Sequence, residues 1–273
     1  MQHDGQITIS TGDSRKCTHW KPQAMLWSEL VERLRKPTRT QETAAEFKAL
    51  PKPRRDEIKD CGGYIGGRLK GGRRKSDAVQ CRCLLTLDLD NIPAGAEDPW
   101  EAVFLLGCAA ALYSTHSHTT EAQRLRLVLP LSREATPDEA AFAMRWLGGQ
   151  VGIDLCDDST FELHRLMYWP SVPRDGVFRF EVLDAPWLDL DALLAENPNW
   201  RDASQWPVSS RRSAMRRKLA KKQGEPTEKP GLIGAFCRAY TVPEAMEKFL
   251  PGVYAPCGEG RYTYAAGSTA GGL

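Results

Sequence analysis

The chain has 273 residues, 41% of them hydrophobic and 26% charged, and a net charge of +2. That length holds one large domain, or one domain and a fragment of another, and the composition is that of a globular protein in water. No apolar run approaches the roughly 20 residues of a membrane span, and the opening MQHDGQITIS lacks the charged-then-apolar order of a secretory signal. A cytoplasmic protein without membrane contact is expected. The eight cysteines are mostly isolated, and Cys81 and Cys83 stand without a second pair or a nearby histidine. They predict core packing, not zinc or disulfides.

In chain order, WSELVERLRKP predicts a helix with Leu26, Leu30, Val31 and Leu34 at helical spacing, ended by Pro37. A second short helix and a Pro-broken basic segment follow. From Lys52 to Lys75 nine basic residues face three acidic ones, and GGYIGGRLKGGRRK within it is rich in glycine. It reads as basic backbone near phosphates, though it lacks the spacing of a P-loop. CRCLLTLDLD is a strand ending in two acids. PWEAVFLLGCAAAL is a helix or helix-to-strand run, YSTHS ends a strand, and RLRLVLPL alternates as a return strand with Arg124 and Arg126 on one face.

TPDEAAFAMRWLGGQVG predicts a helix capped by Thr136, with Pro137 first and glycines past its end. LMYWPS and GVFRFEVL are further strands, and APWLDLDALLAEN is a closing helix. The domain boundaries read as 1–198 for the ordered part, 199–230 for a basic linker and 231–273 for the truncated start of a following domain.

Three groups of residues carry chemistry. Asp88 and Asp90, two positions apart on a strand, point the same way about 7 Å apart. Like charges so placed attract a hard divalent cation such as Mg²⁺ or Mn²⁺. The turn holding Ser114, His116, Ser117 and His118 leads to Arg124 and Arg126, and Asp157 and Asp158 precede Arg165. Carboxylates for metal and cations for a triphosphate are the parts of a phosphoryl- or nucleotidyl-transfer site. The basic run, with Arg68, Lys70, Arg73, Arg74 and Lys75 at its end, has the charge of a polyanion-binding surface.

LLTLDLD, YSTHSHTTEAQRLRLVLPLSREATPDE and GIDLCDDSTFELHRLMYWPSVP resemble the primase–polymerase module of phage and mobile-element replication proteins, within the archaeo-eukaryotic primase superfamily. RKCTHWKPQAMLWSELVERLRKPTRTQETAAEF and CGGYIGGRLKGGRRKSDAVQCRCLLTLDLD resemble the N-terminal half of those proteins. KPGLIGAFCRAYTVPEAMEKFLPGVYAPCGEGRYTYAAGSTAGGL is similar to the segment joining the module to a virulence-associated-E-type helicase. The resemblance implies an α/β fold: an RRM-like palm with an antiparallel or mixed sheet, flanking helices and a C-terminal extension.

It also implies Asp88 and Asp90 as metal ligands, with Asp157 as the third and Asp158 as its competitor. The second motif is met either by His116 in Ser114-Thr115-His116 or by Arg126, with His118, Arg124 and Arg165 as further triphosphate contacts. The implied activity is metal-dependent nucleotidyl transfer on a single-stranded DNA template from nucleoside triphosphates, with Mg²⁺ or Mn²⁺, in a bacterial host cell. A C-terminal helicase/ATPase domain of the same polypeptide is the implied partner. A non-catalytic single-stranded-DNA or origin-binding RRM-like module and a metal-dependent nuclease are the alternatives.

Overall fold

The computed structural model of the protein describes residues 1–258 and 261–266. These fall into two compact units, Met1–Glu196 and Asn197–Leu273. The first is a mixed α/β unit with antiparallel sheets and flanking helices. It begins with β1 (Gln6–Gly12), β2 (Lys21–Leu26), α1 (Trp27–Arg35), β3 (Thr38–Arg39), α2 (Ala44–Ala49) and α3 (Lys52–Ile58). Next come β4 (Gly63–Ile65), β5 (Gly67–Leu69), β6 (Val79–Leu89), α4 (Pro99–Leu106), β7 (Ala110–Ser114) and β8 (Leu125–Ala135). It ends with α5 (Pro137–Val151), β9 (Met167–Tyr168), β10 (Ser171–Val172), β11 (Phe180–Leu183) and α6 (Leu190–Glu196).

One sheet has the order β11-β7-β8-β6-β5 and a second the order β2-β1-β4-β9. The long strands β6 and β8 are buried along nearly their whole length, because both faces of their sheet are covered. Side chains alternate across a strand, so Leu84, Ala111, Tyr113 and Val128 enter a core with Ile7, Ile9 and the apolar stripe of α1. Leu85, Leu87, Leu127 and Leu129 fill the opposite face and are fully buried. A strand buried on both sides reads as a continuous apolar run, which is why LLTL precedes the acids. Cys81 and Cys83 are buried in this packing.

Helix α1 buries Trp27, Leu30, Val31 and Leu34, while Leu26 ends β2 and is exposed. Thr136 caps α5 in a reciprocal box with Glu139, and Pro137 follows it. The helix runs on through Gly148 and Gly149 to Val151, past the expected stop. Gly148 is kept small by packing, since a Cβ there would lie 2.9 Å from both Ile153 and Phe161.

The glycine-rich stretch, read above as basic backbone near phosphates, forms β4 and β5 over its first half, and the reason is close approach of chains. A Cβ on Gly67 would meet the Cys81 carbonyl oxygen at 2.0 Å, and one on Gly63 the Met167 oxygen at 2.3 Å. The glycines let β5 lie against β6 and β4 against β9.

The second unit contains α7 (Ser210–Gln223), α8 (Gly231–Ala239), α9 (Val242–Phe249) and the hairpin β12 (Tyr254–Gly258) and β13 (Arg261–Tyr264). The 199–230 segment, read as a linker, thus carries a helix started by the Ser209 side chain, which accepts from the Arg212 N–H. Of the 231–273 segment, residues 259–260 and 267–273 lie outside the described residues. Met246 is the buried hydrophobic side chain of this unit among the described residues, while Leu232, Ile233, Val242 and Phe249 are exposed. No helix among the described residues is long and apolar enough to cross a membrane.

Gly67→Ala is expected to cost about 1–3 kcal/mol, the range for overpacking a tight site. The midpoint of urea unfolding measures it; an unchanged midpoint would mean that β5 can shift away from β6 at no cost.

Candidate active site

Three strands carry one row of side chains across the large sheet. In the antiparallel register Asp88 on β6 faces Arg126 on β8, and Arg126 faces Tyr113 on β7. All three are buried. The Arg126 Nε donates to Asp88 Oδ1 at 2.6 Å. Its Nη1 donates to the Tyr113 hydroxyl at 3.3 Å and to the Tyr168 carbonyl at 2.9 Å. Burial opposes the Arg126 charge, but the Asp88 carboxylate and Tyr113 more than compensate and hold its pKa well above the ordinary arginine value. A buried charge is tolerable only when paired and hydrogen-bonded in this way.

Asp90 follows the end of β6 and accepts from Arg124 Nη1 at 3.3 Å. Burial raises the pKa of its carboxyl, the Asp88 charge and more weakly that of Asp157 add to the rise, and Arg124 and Arg126 oppose it. Asp157 is drawn beside Asp88 by a backbone bond, its N–H donating to the Asp88 carbonyl at 2.8 Å. One of its carboxylate oxygens accepts from Ser159 N–H and Oγ, both at 2.9 Å, capping the short 3-10 turn Asp158–Phe161. The other lies 3.6 Å from Arg165. Asp158 sits inside that turn, partly exposed.

A cavity of about 570 Å³ opens over this row, within the size range of small-ligand sites. Asp88, Asp90, His116, Arg124, Arg126 and Arg165 line it and, with Arg74, bring seven of the sequence-derived residues to one place, while Asp157 and Asp158 are outside the lining. Eight basic side chains and three acidic ones line the wall, giving the cavity the field of an anion site. Four of the bases, Arg15, Lys16, Lys52 and Lys59, were not among the site residues expected from sequence. Lys52 and Lys59 lay within the recognised basic run, whereas Arg15 and Lys16 are brought in by the turn after β1, and nothing in their local pattern marks them. Lys59 and Arg15 are partly offset by Asp56, at 2.8 and 3.5 Å.

Other expected residues lie apart from the cavity lining. His118 is part of the turn between β7 and β8, its Nδ1 accepting the Arg124 backbone N–H at 3.1 Å. Arg68 pairs with Glu134 at 2.6 Å. Lys70, Arg73 and Lys75 are exposed and flank Arg74. His116 does line the cavity, but both ring nitrogens are engaged, Nδ1 with Ser171 Oγ at 3.0 Å and Nε2 with Glu42 Oε1 at 3.2 Å.

Asp88 and Asp90 suit a divalent cation in donor type and in charge, because burial and mutual repulsion leave Asp90 short of positive charge. Asp157 neighbours them through the backbone. Among the described residues, however, no group of three or more His, Cys, Asp or Glu side chains is gathered closely enough to hold a metal ion. The carboxylates are held by arginines instead.

The sequence pattern of the VapE N-terminal domain matches residues 1–209, and the chain belongs to that family. In overall structure the chain is similar to the AEP domain of the cyanophage S-2L primase-polymerase. That likeness has 15% sequence identity, covers 62% of this chain and 94% of that one, and has a TM-score of 0.37. No curated protein sequence matches the chain.

The two arginine–aspartate pairs are expected to differ in energetic weight. Arg126→Ala strands a buried Asp88 carboxylate and is expected to cost about 3–5 kcal/mol. Arg124→Ala breaks a pair whose side chains are 44% and 32% exposed and is expected to cost under about 1 kcal/mol. Urea unfolding of the two variants distinguishes them, and equal losses would contradict the buried-pair account.

Both turn histidines have lowered pKa values. For His116 burial is the main cause, opposed by Glu42 and reinforced by Lys59. For His118 it is burial and then Arg179, opposed by the bond from Arg124. The folded values lie below the unfolded value of about 6.5, so on acidification through that value the unfolded chain takes up protons first. Stability is present above about pH 6.5 and lost below it. A melting temperature that falls from about pH 7.5 to pH 5.5 is expected, with a shallower fall in His116→Gln; an identical slope in the variant would contradict the assignment.

Proposed function

We propose that the chain is the primase–polymerase module of a phage or mobile-element replication protein, performing metal-dependent nucleotidyl transfer on single-stranded DNA. The observation that carries this reading is the cavity in which Asp88 and Asp90 adjoin Arg124, Arg126 and Arg165 under a predominantly basic wall. Membership of the VapE N-terminal domain family supports it.

Each group has a task that follows from its surroundings. Arg124 and Arg165, half-exposed at the cavity wall, are able to turn from their aspartates to the oxygens of a triphosphate, where an arginine fork binds two oxygens at once. Arg126 is spent on Asp88, Tyr113 and Tyr168; its part is to fix the Asp88 carboxylate. Asp88 and Asp90, with Asp157 or its neighbour Asp158, would hold Mg²⁺ or Mn²⁺, which when bound supplies charge stabilisation for the transferring phosphoryl group. Arg74, flanked by Lys70, Arg73 and Lys75, with Arg68 further along, gives a template strand a basic approach to the cavity. Binding there would weaken steeply with salt.

An RRM-like binding module without catalysis would present aromatic faces for base stacking. Tyr64 and Trp169 stack on each other at 4.8 Å and are buried, which leaves Tyr168, half-buried at the cavity wall beside the edge of Trp169, as the aromatic available to a base. A nuclease would use water as the attacking group and have no need of triphosphate contacts. A helicase/ATPase domain on the same polypeptide would follow from the same replication role.

The test is synthesis on single-stranded DNA with labelled nucleoside triphosphates and Mg²⁺ or Mn²⁺. Wild type is expected to make product, and Asp90→Ala and Arg165→Ala, both partly exposed and expected to fold, should reduce it by about 10²-fold or more. Degradation of the template without nucleotide incorporation, or product unchanged in both variants, would overturn the reading.

A further inference from the structure

Three side chains from distant segments form a chain of hydrogen bonds that ends at the cavity. Glu42, in the segment between β3 and α2, accepts from Thr40 Oγ1 and bonds His116 Nε2 at 3.2 Å. His116 Nδ1 bonds Ser171 Oγ at 3.0 Å, and Phe47 packs on the imidazole at 4.3 Å between ring centres. Ser171 is fixed in turn by the parallel pairing of β10 with β3. Ser171 and His116 both line the cavity that holds Asp88 and Arg124.

The donors in this chain have only one consistent arrangement. A carboxylate only accepts, so Nε2 carries the hydrogen and gives it to Glu42. In a neutral imidazole the other nitrogen is then an acceptor, and it must take the hydroxyl hydrogen of Ser171. Burial keeps this imidazole neutral, with Lys59 acting in the same sense against Glu42. The nearby Cys61 has its own pKa raised, chiefly by burial and against a hydrogen bond with Ser171; its thiol hydrogen goes to the carbonyls of Lys59 or Trp169, and the Ser171 hydroxyl hydrogen has His116 Nδ1 and the Cys61 sulfur as its two acceptors. Ser171 is therefore left with oxygen lone pairs and no donor for a ligand.

That polarity is wrong for a phosphate, which has no hydrogen to give, and His116 has no ring nitrogen to spare for one. It is right for a hydroxyl. On a nucleoside triphosphate the donors are the sugar hydroxyls and groups on the base. A site that must take every base in turn has no use for a fixed acceptor on one of them, whereas the sugar is common to all.

We propose that Ser171 accepts a hydrogen bond from a sugar hydroxyl of the bound nucleotide, with Glu42 and His116 as positioning residues that hold it in the acceptor state. The proposal rests on the nucleotide reading above and makes this end of the cavity a sugar-reading subsite. A site built to accept a hydroxyl discriminates against the analogue that lacks it, because the acceptor is then left unpaired.

Equilibrium binding of ATP, 2′-deoxy-ATP and 3′-deoxy-ATP to the whole chain in Mg²⁺ tests this, and the two deoxy compounds tell which hydroxyl is read. Wild type is expected to bind one of them about tenfold more weakly than ATP. Ser171→Ala should abolish that ratio while leaving the affinity for the weaker analogue within about twofold. Glu42→Ala, which frees the imidazole to reverse its tautomer, should reduce the ratio. Glu42→Gln, whose amide oxygen still accepts from Nε2, should restore it; a purely structural role for Glu42 would not move a ratio between two ligands. Equal affinity for all three nucleotides in wild type, or a ratio that persists in Ser171→Ala, overturns the proposal and leaves the nucleotide reading intact. Failure of all three to bind the folded wild type overturns both.

Discussion

The ion pair between Asp88 and Arg126 is the interaction on which the rest of the site depends. It lies on the same face of the sheet as the apolar core, where a lone charge would be too costly to keep. Pairing Asp88 with Arg126 across the strands, and Arg126 with Tyr113 and the Tyr168 carbonyl, lets a carboxylate stand at the inner end of a cavity without unfolding the strand that carries it. Asp90, just beyond the strand, then inherits a setting in which its charge is disfavoured by burial and by Asp88. Cations are attracted to such a place. The arginines supply that charge here.

The packing that makes this possible is built from small residues as much as from large ones. Gly63 and Gly67 bring β4 and β5 against their neighbours at distances no side chain would permit. With β4 comes β9, and with β9 come Tyr168 and, three residues later on the same chain, Ser171. Tyr168 and Ser171 thus reach the cavity because glycines upstream yield space. The basic character of this same stretch, which drew attention in the sequence, is a separate matter; Arg68 is turned to Glu134, and Arg74 is the member that reaches the cavity.

Much of this was legible from sequence, and for identifiable reasons. The alternation in RLRLVLPL and the run LLTLDLD carry their register in their pattern, and the structure pairs Asp88 with Arg126. Thr136 and Pro137 announce the start of α5 by local chemistry alone. The end of that helix was misread because Gly148 and Gly149 look like a stop, while Gly148 is there to admit Ile153 and Phe161. Likewise the glycines near Gly63 look like a loop because close packing between chains leaves no mark in local sequence. Glu42, Ser171 and Arg15 were invisible for a related reason: each is an ordinary residue that becomes significant only through a partner far away in the chain. His116 lines the cavity, while His118 lies apart from the lining and closes the turn through the Arg124 N–H.

Crystals of the chain grown with Mn²⁺ and a non-hydrolysable nucleoside triphosphate test the central claim most directly, because anomalous scattering locates the ion independently of the protein. The account predicts manganese against Asp88 and Asp90 and phosphate oxygens against Arg124 and Arg165, with Arg126 still bonded to Asp88. Nucleotide bound elsewhere, with Asp90 and Asp157 still held by their arginines and no manganese beside them, would contradict it.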